Sequence, residues 1–221
     1  MNLQKRVNMV LLKYPLRLME LIEIELPLVH PFRTSFGSET HKQAIIVKLT
    51  DTEGNIGWGE TAVSTNPGYC YETVKTAWHI QNDFLFPIIK KYHGETEEFN
   101  IETLMQTWNT VRGHDFAKGG IEAALWSLKA DQENKSLGEM YGASKTEIPT
   151  GVSIGIQKNK QDLLGRIDSF LDKGYHRIKI KIEPGWDHEI IKAIRAEFGD
   201  IQLMVDANSS YTLSEKDLVI M

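Results

Sequence analysis

Arg177-Ile178-Lys179-Ile180-Lys181-Ile182 alternates with a period of two, so Ile178, Ile180 and Ile182 share one face of a strand and Arg177, Lys179 and Lys181 the other. The two lysine Cα atoms then sit about 6.6 Å apart. Taken alone, the pattern suits an edge strand with a solvated lysine face, because lysine usually stays exposed. The flanks argue otherwise. Helical spacing occupies residues 162–173 before it and residues 187–198 after it. A strand between two helices is a parallel strand, normally buried on both faces. Two inward-facing lysines then need a chemical use.

The rhythm extends both ways. Val152-Ser153-Ile154-Gly155-Ile156 precedes the first of those helices, Ile201 to Val205 follows the second, and a capping pattern at Thr212-Leu213-Ser214-Glu215 opens another helix. Strand starts near Gly151, Arg177 and Ile201 predict a βαβαβα arrangement with right-handed crossovers. A closed barrel needs eight such units over roughly 250 residues. Three are visible, so the stretch is either an open three-stranded sheet or a barrel cut short, and the abrupt apolar end at Leu218 to Met221 favours the second.

Upstream, strands come first and helices second. Leu21 to Leu26 alternates, Gln43 to Leu49 is β-branched, residues 51–55 read as a hairpin turn and Ile56 to Glu60 as the returning strand. Pro31-Phe32-Arg33-Thr34-Ser35-Phe36-Gly37 and Ser64 to Tyr71 read as loops, and loops often carry binding residues. Helices are predicted over residues 71–91, 101–111 and 120–130. The expected division is a loose N-terminal extension at 1–18, upstream of a natural start at Met19, an α+β unit at 19–147 and a partial β/α unit at 148–221, giving an α/β protein overall.

Composition narrows the function. The 221 residues carry 30 acids and 25 bases, a formal charge of −5, which is the wrong sign for a chain that neutralises phosphates, so no nucleic-acid partner is expected. Lys13 and Arg17 interrupt the apolar run that begins at Val7, too early for a secretory core or a membrane span, so no membrane partner is expected either. A lone Cys70 agrees with a reducing, cytoplasmic setting. Exposed strand edges would favour self-association as a homo-oligomer.

The chemistry gathers at strand ends. Lys181 lies at the carboxyl end of its strand, where barrel enzymes place catalytic groups. Lys179, a metal cation and desolvation would each lower its pKa toward the range of a general base. Asp206 and Asn208, in Val205-Asp206-Ala207-Asn208, share one face at the end of the next strand, and a carboxylate there suits Mg²⁺. Asp206 alone would read as a helix cap or turn residue.

Lys179-Ile180-Lys181 followed by Val205-Asp206-Ala207-Asn208 resembles the paired-lysine and first metal-ligand motifs of the enolase superfamily, muconate-lactonizing branch. Pro31 to Gly37, Gly57-Trp58-Gly59-Glu60, Gly151 to Ile156 and Lys181-Ile182-Glu183-Pro184-Gly185-Trp186-Asp187 are most like o-succinylbenzoate synthases and N-acylamino acid racemases. The resemblance covers Met19 to the last residue. It implies an α+β capping domain followed by part of a TIM-like (β/α)7β barrel, with Lys181 removing a proton α to a carboxylate. Lys179 would place positive charge near the carboxylate of a small-molecule substrate, and Asp206 would be the first Mg²⁺ ligand. Ser153 and Asn208 would line the barrel mouth; Phe32, Arg33 and the Ser64 to Tyr71 loop would enclose substrate.

The resemblance assigns the remaining acidic ligands and the opposite lysine to later strands, which implies that the 221-residue chain is inactive by itself. Three readings stand: a Mg²⁺-dependent dehydratase of the o-succinylbenzoate type serving menaquinone synthesis, a racemase or epimerase using the same half-reaction, and a noncatalytic binding module. Gly151-Val152-Ser153-Ile154-Gly155 fits the nucleophile-elbow pattern, but Ser153 lies within a β-branched run instead of a strand-to-helix turn. His114 and His176 read as packing or surface residues, Gly119-Gly120 as a helix start, and Trp58, Trp78, Trp108 and Trp126 as core.

Overall fold

A computed structural model of the chain describes residues 4–11, 16–34, 37–95, 100–212 and 214. The chain divides into two compact units, Met1–Pro27 with His41–Ser144, and Leu28–Thr40 with Lys145–Met221.

The first unit is built on a four-stranded sheet of β1 (Gln4–Leu11), β2 (Leu16–Thr34), β3 (Gly37–Asp51) and β4 (Ile56–Thr61), in that spatial order. Two features differ from expectation. Gln4–Leu11, expected as loose, is a strand antiparallel to β2, with Val7 opposite Ile22 and Leu11 opposite Leu18. Arg6 anchors it, pairing with Glu23 at 2.6 Å and lying 3.7 Å from the Trp78 ring centroid. The expected loop at Pro31 to Gly37 is also strand, through Thr34 on one side and from Gly37 on the other. Pro27 and Pro31 lie beyond Ile24, the last β2 residue that β1 pairs among the described residues, so their missing N–H groups cost that ladder no bond.

Ile45, Val47 and Leu49 alternate along β3 and are fully buried. On β4, Gly57 and Gly59 meet the helix over residues 115–132: a Cβ on either would fall 2.1 Å from a carbonyl oxygen, that of Ala124 or of Gly120. The sequence therefore places glycine where strand and helix approach too closely for a side chain.

Helix α1 (Val74–Ile80) opens on a capping box between Thr73 and Thr76. The expected single helix over 71–91 is broken by a π-helical turn, Gln81–Leu85, before α2 (Phe86–Glu95). Gln81 is wholly buried there and donates to Thr61 Oγ1 at 2.7 Å and to the Ala117 carbonyl at 2.8 Å. Helix α3 (Ile101–Thr107) is capped by Asn100. Helix α4 (Asp115–Gln132) starts ahead of the expected Gly120, after His114 in a left-handed conformation with φ 57°. His114 offers no side-chain cap. Buried Glu72 supplies it instead, its two oxygens accepting from the Phe116 and Ala117 N–H groups, each at 3.0 Å. Helix α5 (Leu137–Met140) closes this unit. Trp108 is buried, but Trp58 is half-exposed, with the Lys48 ammonium 5.6 Å from its ring centroid.

The second unit alternates β5 (Gly151–Ile154), α6 (Lys160–Asp172), β6 (Arg177–Lys181), α7 (His188–Phe198) and β7 (Gln202–Asp206). Its strands are parallel, in the order β5-β6-β7. Ile178 and Ile180 are fully buried and pack with Leu163 and Ile167 of α6 and Ile190 and Ile194 of α7. Asn159 and Asp187 cap α6 and α7. The helix expected from Thr212 lies outside the described residues. Among them, no helix is long and apolar enough to cross a membrane.

Candidate functional site

Strand register brings the expected groups together. Lys181 pairs across the sheet with Asp206, and Lys179 stands in one row between Ser153 and Met204. In a parallel sheet, residues in register share a face, so both lysines emerge opposite Ile178 and Ile180. The Nζ atoms of Lys179 and Lys181 each lie 2.7 Å from the same oxygen, Asp206 Oδ2. The Lys181 side chain is only 9% exposed, against 34% for Lys179.

The turn after β7 completes the cluster. Asn208 and Ser209 are both left-handed, with φ of 46° and 59°, a conformation asparagine tolerates better than most residues. This folds Asn208 back. Its N–H donates to Asp206 Oδ1 at 2.9 Å, and its Oδ1 accepts from Lys181 Nζ at 2.6 Å. The Tyr211 hydroxyl donates to buried Asp187 at 2.8 Å, tying this turn to the start of α7. Hydrogen bonds from Lys179 and then from Lys181 hold the Asp206 carboxyl well below the usual carboxylate range, against the opposing effect of burial.

Two ammonium groups against one carboxylate leave a formal charge of +1, which attracts a further anion. The cluster is thus suited to a substrate carboxylate. As a cation site it is partial. Among the described residues no three His, Cys, Asp or Glu side chains converge, so Asp206 fits the part of one Mg²⁺ ligand and not of the whole set.

Ser153 lies within β5, as expected, and not at a strand-to-helix elbow. Phe32 and Arg33 reach the end of β5 in the same unit, yet the Arg33 guanidinium is engaged by Glu183 at 3.2 Å. Sequence reasoning missed Glu183; its place just past β6, at the start of Glu183-Pro184-Gly185, was the available signal. The Ser64 to Tyr71 loop belongs to the first unit, closed by a bridge between Ser64 and Thr73. A groove lined by Arg177, Arg195, Asp200 and residues 201–204 includes none of Lys179, Lys181, Asp206 and Asn208.

Residues 19–142 match the mandelate racemase / muconate lactonizing enzyme N-terminal domain, and residues 162–219 match the enolase C-terminal domain-like family. The chain is 40% identical over 196 residues to an o-succinylbenzoate synthase of Geobacillus stearothermophilus, covering 88% of this chain and 51% of that protein. It is 36% identical over 197 residues to an N-succinylamino acid racemase of Amycolatopsis sp, covering 89% and 52%. A solved enolase superfamily member from Listeria innocua superposes with a TM-score of 0.79 at 35% identity, over 93% of this chain and 53% of that one. The chain spans about half the length of the curated relatives it matches.

Proposed function

Since the chain belongs to the mandelate racemase / muconate lactonizing enzyme family of the enolase superfamily, we propose that it carries the proton-abstracting part of an o-succinylbenzoate synthase-like lyase. Lys181 is the base for the proton α to a carboxylate, and Lys179 places its charge beside that carboxylate. Loss of hydroxide from the resulting ene-diolate would give the aromatic product, in a cytoplasmic route to menaquinone. The observation that carries this reading is the pair of lysine nitrogens converging on one Asp206 oxygen at the carboxyl ends of adjacent parallel strands.

Each group has a defined task. Asn208 holds the Lys181 side chain in line through its amide oxygen, and Ser153, one strand over from Lys179, faces the same substrate. Phe32, at the end of β5, would add an apolar wall. Asp206 would contribute one ligand to Mg²⁺, which when bound supplies positive charge to the oxygens of the ene-diolate. The lysine cluster lies in the 148–221 segment, and the 19–147 segment lends Phe32 and Arg33 through the hairpin end, Leu28–Thr40, that belongs to the second unit.

The Amycolatopsis relative favours a second reading, racemisation of an N-acyl amino acid from the same Lys181 half-reaction. The two separate in deuterated water. The chain joined to the remaining half of the Geobacillus stearothermophilus relative should exchange the substrate α-proton, and Lys181→Ala should abolish it. With 2-succinyl-6-hydroxycyclohexadiene carboxylate the lyase releases an aromatic product; with an N-acyl amino acid the racemase returns both antipodes. Exchange that survives Lys181→Ala would remove this lysine from the reaction. Turnover by the 221 residues alone would show that the cluster needs no further groups.

A further inference from the structure

One face of the first unit's sheet packs against helices, and the other stays open among the described residues. Ile45, Val47 and Leu49 of β3 point into the core, so the residues between them point the opposite way. Strand pairing then fixes a row across the open face. Met9 of β1 stands opposite Glu20 of β2, the Lys48 ammonium of β3 lies 3.0 Å from Glu20 Oε2, and Lys48 stands opposite Trp58 of β4. The row reads apolar, negative, positive, apolar. Its ends are open: in the whole chain Met9 is 61% exposed and Trp58 50%, and Val7 and Ile56 beside them are exposed as well. Half-buried Ile22, opposite Val7, and Ile46, two residues before Lys48, join these ends across the middle. Single exposed apolar side chains are ordinary, but a contiguous group on one sheet face marks a docking surface.

We propose that this face binds a second copy of the same chain, the two sheets stacking about a twofold axis that runs along the strands. Such an axis reverses the row, so Met9 falls over the partner's Trp58 and Glu20 over the partner's Lys48. Each charge then has an opposite charge beside it in its own sheet and another across the interface. An axis running across the strands would instead set Lys48 over the partner's Lys48, and facing like charges cost affinity. Charge thus selects one isologous arrangement, with the strands of the two sheets within about 30° of alignment, as aligned sheet packing has them. The footprint sets the strength. Four strands about 4.8 Å apart, taken over the eight residues of β1, cover roughly 500 Å² per copy, or about 1,000 Å² in all, the threshold of a specific interface. A weak dimer follows, with a dissociation constant in the micromolar range. Met9 and Val7 lie on β1, which precedes the residues matched to the family's N-terminal domain, so the family match does not account for this face.

Analytical ultracentrifugation of the 221-residue chain tests this without reference to catalysis, so the fate of the lyase or racemase reading does not decide it. The parent should pass from 25.2 kDa toward twice that mass between about 1 and about 100 μM. Lys48→Glu and Glu20→Lys should each weaken the dimer at least about tenfold. An equimolar mixture of the two should restore it, because every facing pair is opposite again, and the double variant Glu20→Lys with Lys48→Glu should match the parent. A chemical link checks the orientation. With Cys70→Ser throughout, Met9→Cys mixed with Trp58→Cys should be joined by a bismaleimide that spans the roughly 10 Å between stacked sheets. Either cysteine variant alone should stay unlinked, since like positions are offset by three strand spacings, about 14 Å. A parent that remains at 25.2 kDa up to about 100 μM would overturn the homodimer and leave the face to a different protein. Association that Lys48→Glu leaves untouched, or that the mixture fails to restore, would overturn it by moving the contact to another surface, such as the outer edge of β7. Linkage of either cysteine variant with itself would overturn the twofold arrangement.

Discussion

Asp51, at the end of β3, shows how a single buried carboxylate is made tolerable. It is 3% exposed and accepts four hydrogen bonds, from the Glu53 and Asn55 N–H groups at 2.8 and 2.9 Å, from the Asn55 amide at 2.6 Å and from Gln132 at 2.9 Å. Burial pushes its pKa up, but the bonds from Gln132 and Asn55, with the backbone donors, outweigh it and leave the group below its ordinary 3.8. The sign follows by linkage. A carboxyl depressed in the folded state stabilises it above the ordinary pKa and loses that contribution as pH falls through the folded value. Asp51→Asn should therefore cost about 1–3 kcal/mol at pH 7, and the gap to the parent should narrow as pH drops below about 4. Urea unfolding at several pH values would measure it, and a gap that stays constant down to pH 3 would contradict the assignment.

At the level of elements, the clearest constraint is the seat of α4 on β4. The Gly59 Cβ position lies 2.1 Å from the Gly120 carbonyl oxygen, and the Gly120 Cβ position lies 2.0 Å from Thr61 Oγ1. The Gly59 position meets backbone, which cannot swing aside, and Thr61 Oγ1 is held by the hydrogen bond it accepts from buried Gln81. Gly59→Ala should destabilise the first unit by about 1–3 kcal/mol or more, whereas Gly165→Ala, which faces open space within α6, should be neutral or stabilising by the helix propensity of alanine. Thermal melts of the two variants would rank them, and equal melting temperatures would refute the close-contact argument. This contrast also marks what the sequence could reveal. Ile178, Ile180 and the two lysines were legible because strand alternation is a local rule, and the helices on either side fixed the burial of both faces. Asp206 followed from the same parity one strand later, whereas Asn208 reaches the cluster through a left-handed turn that strand parity does not foresee. Glu72 was not legible, because capping of α4 crosses from a segment far upstream and satisfies no periodic pattern. Nor was the length of β2, since Pro27 and Pro31 signal a loop unless one already knows that, among the described residues, β1 pairs β2 no farther than Ile24.

For the whole molecule, charge balance at the strand ends makes the sharpest demand. Mg²⁺ binds through one or two carboxylates plus water and substrate oxygens, in near-ideal octahedral geometry. Asp206 is the carboxylate that the described residues bring to the lysines, and its Oδ2 is already shared by two ammonium groups. A cation entering there must displace those ammoniums from the carboxylate or face their repulsion, which at about 4 Å amounts to some 4 kcal/mol per unit-charge pair at a surface-like effective dielectric constant of about 20. The 221-residue chain by itself should therefore take up Mg²⁺ only weakly, with a dissociation constant above about 1 mM, because one shared carboxylate must overcome that repulsion. Small dicarboxylates should bind the same cluster more readily, through the net positive charge. Titration calorimetry with MgCl2 and with succinate, each repeated on Asp206→Asn, separates the two. Loss of the carboxylate should strengthen succinate binding and leave the weak Mg²⁺ heat without its saturable part. Micromolar Mg²⁺ binding that disappears in Asp206→Asn would mean that the ligand set is already sufficient, and the dependence on acids from later strands would have to be given up.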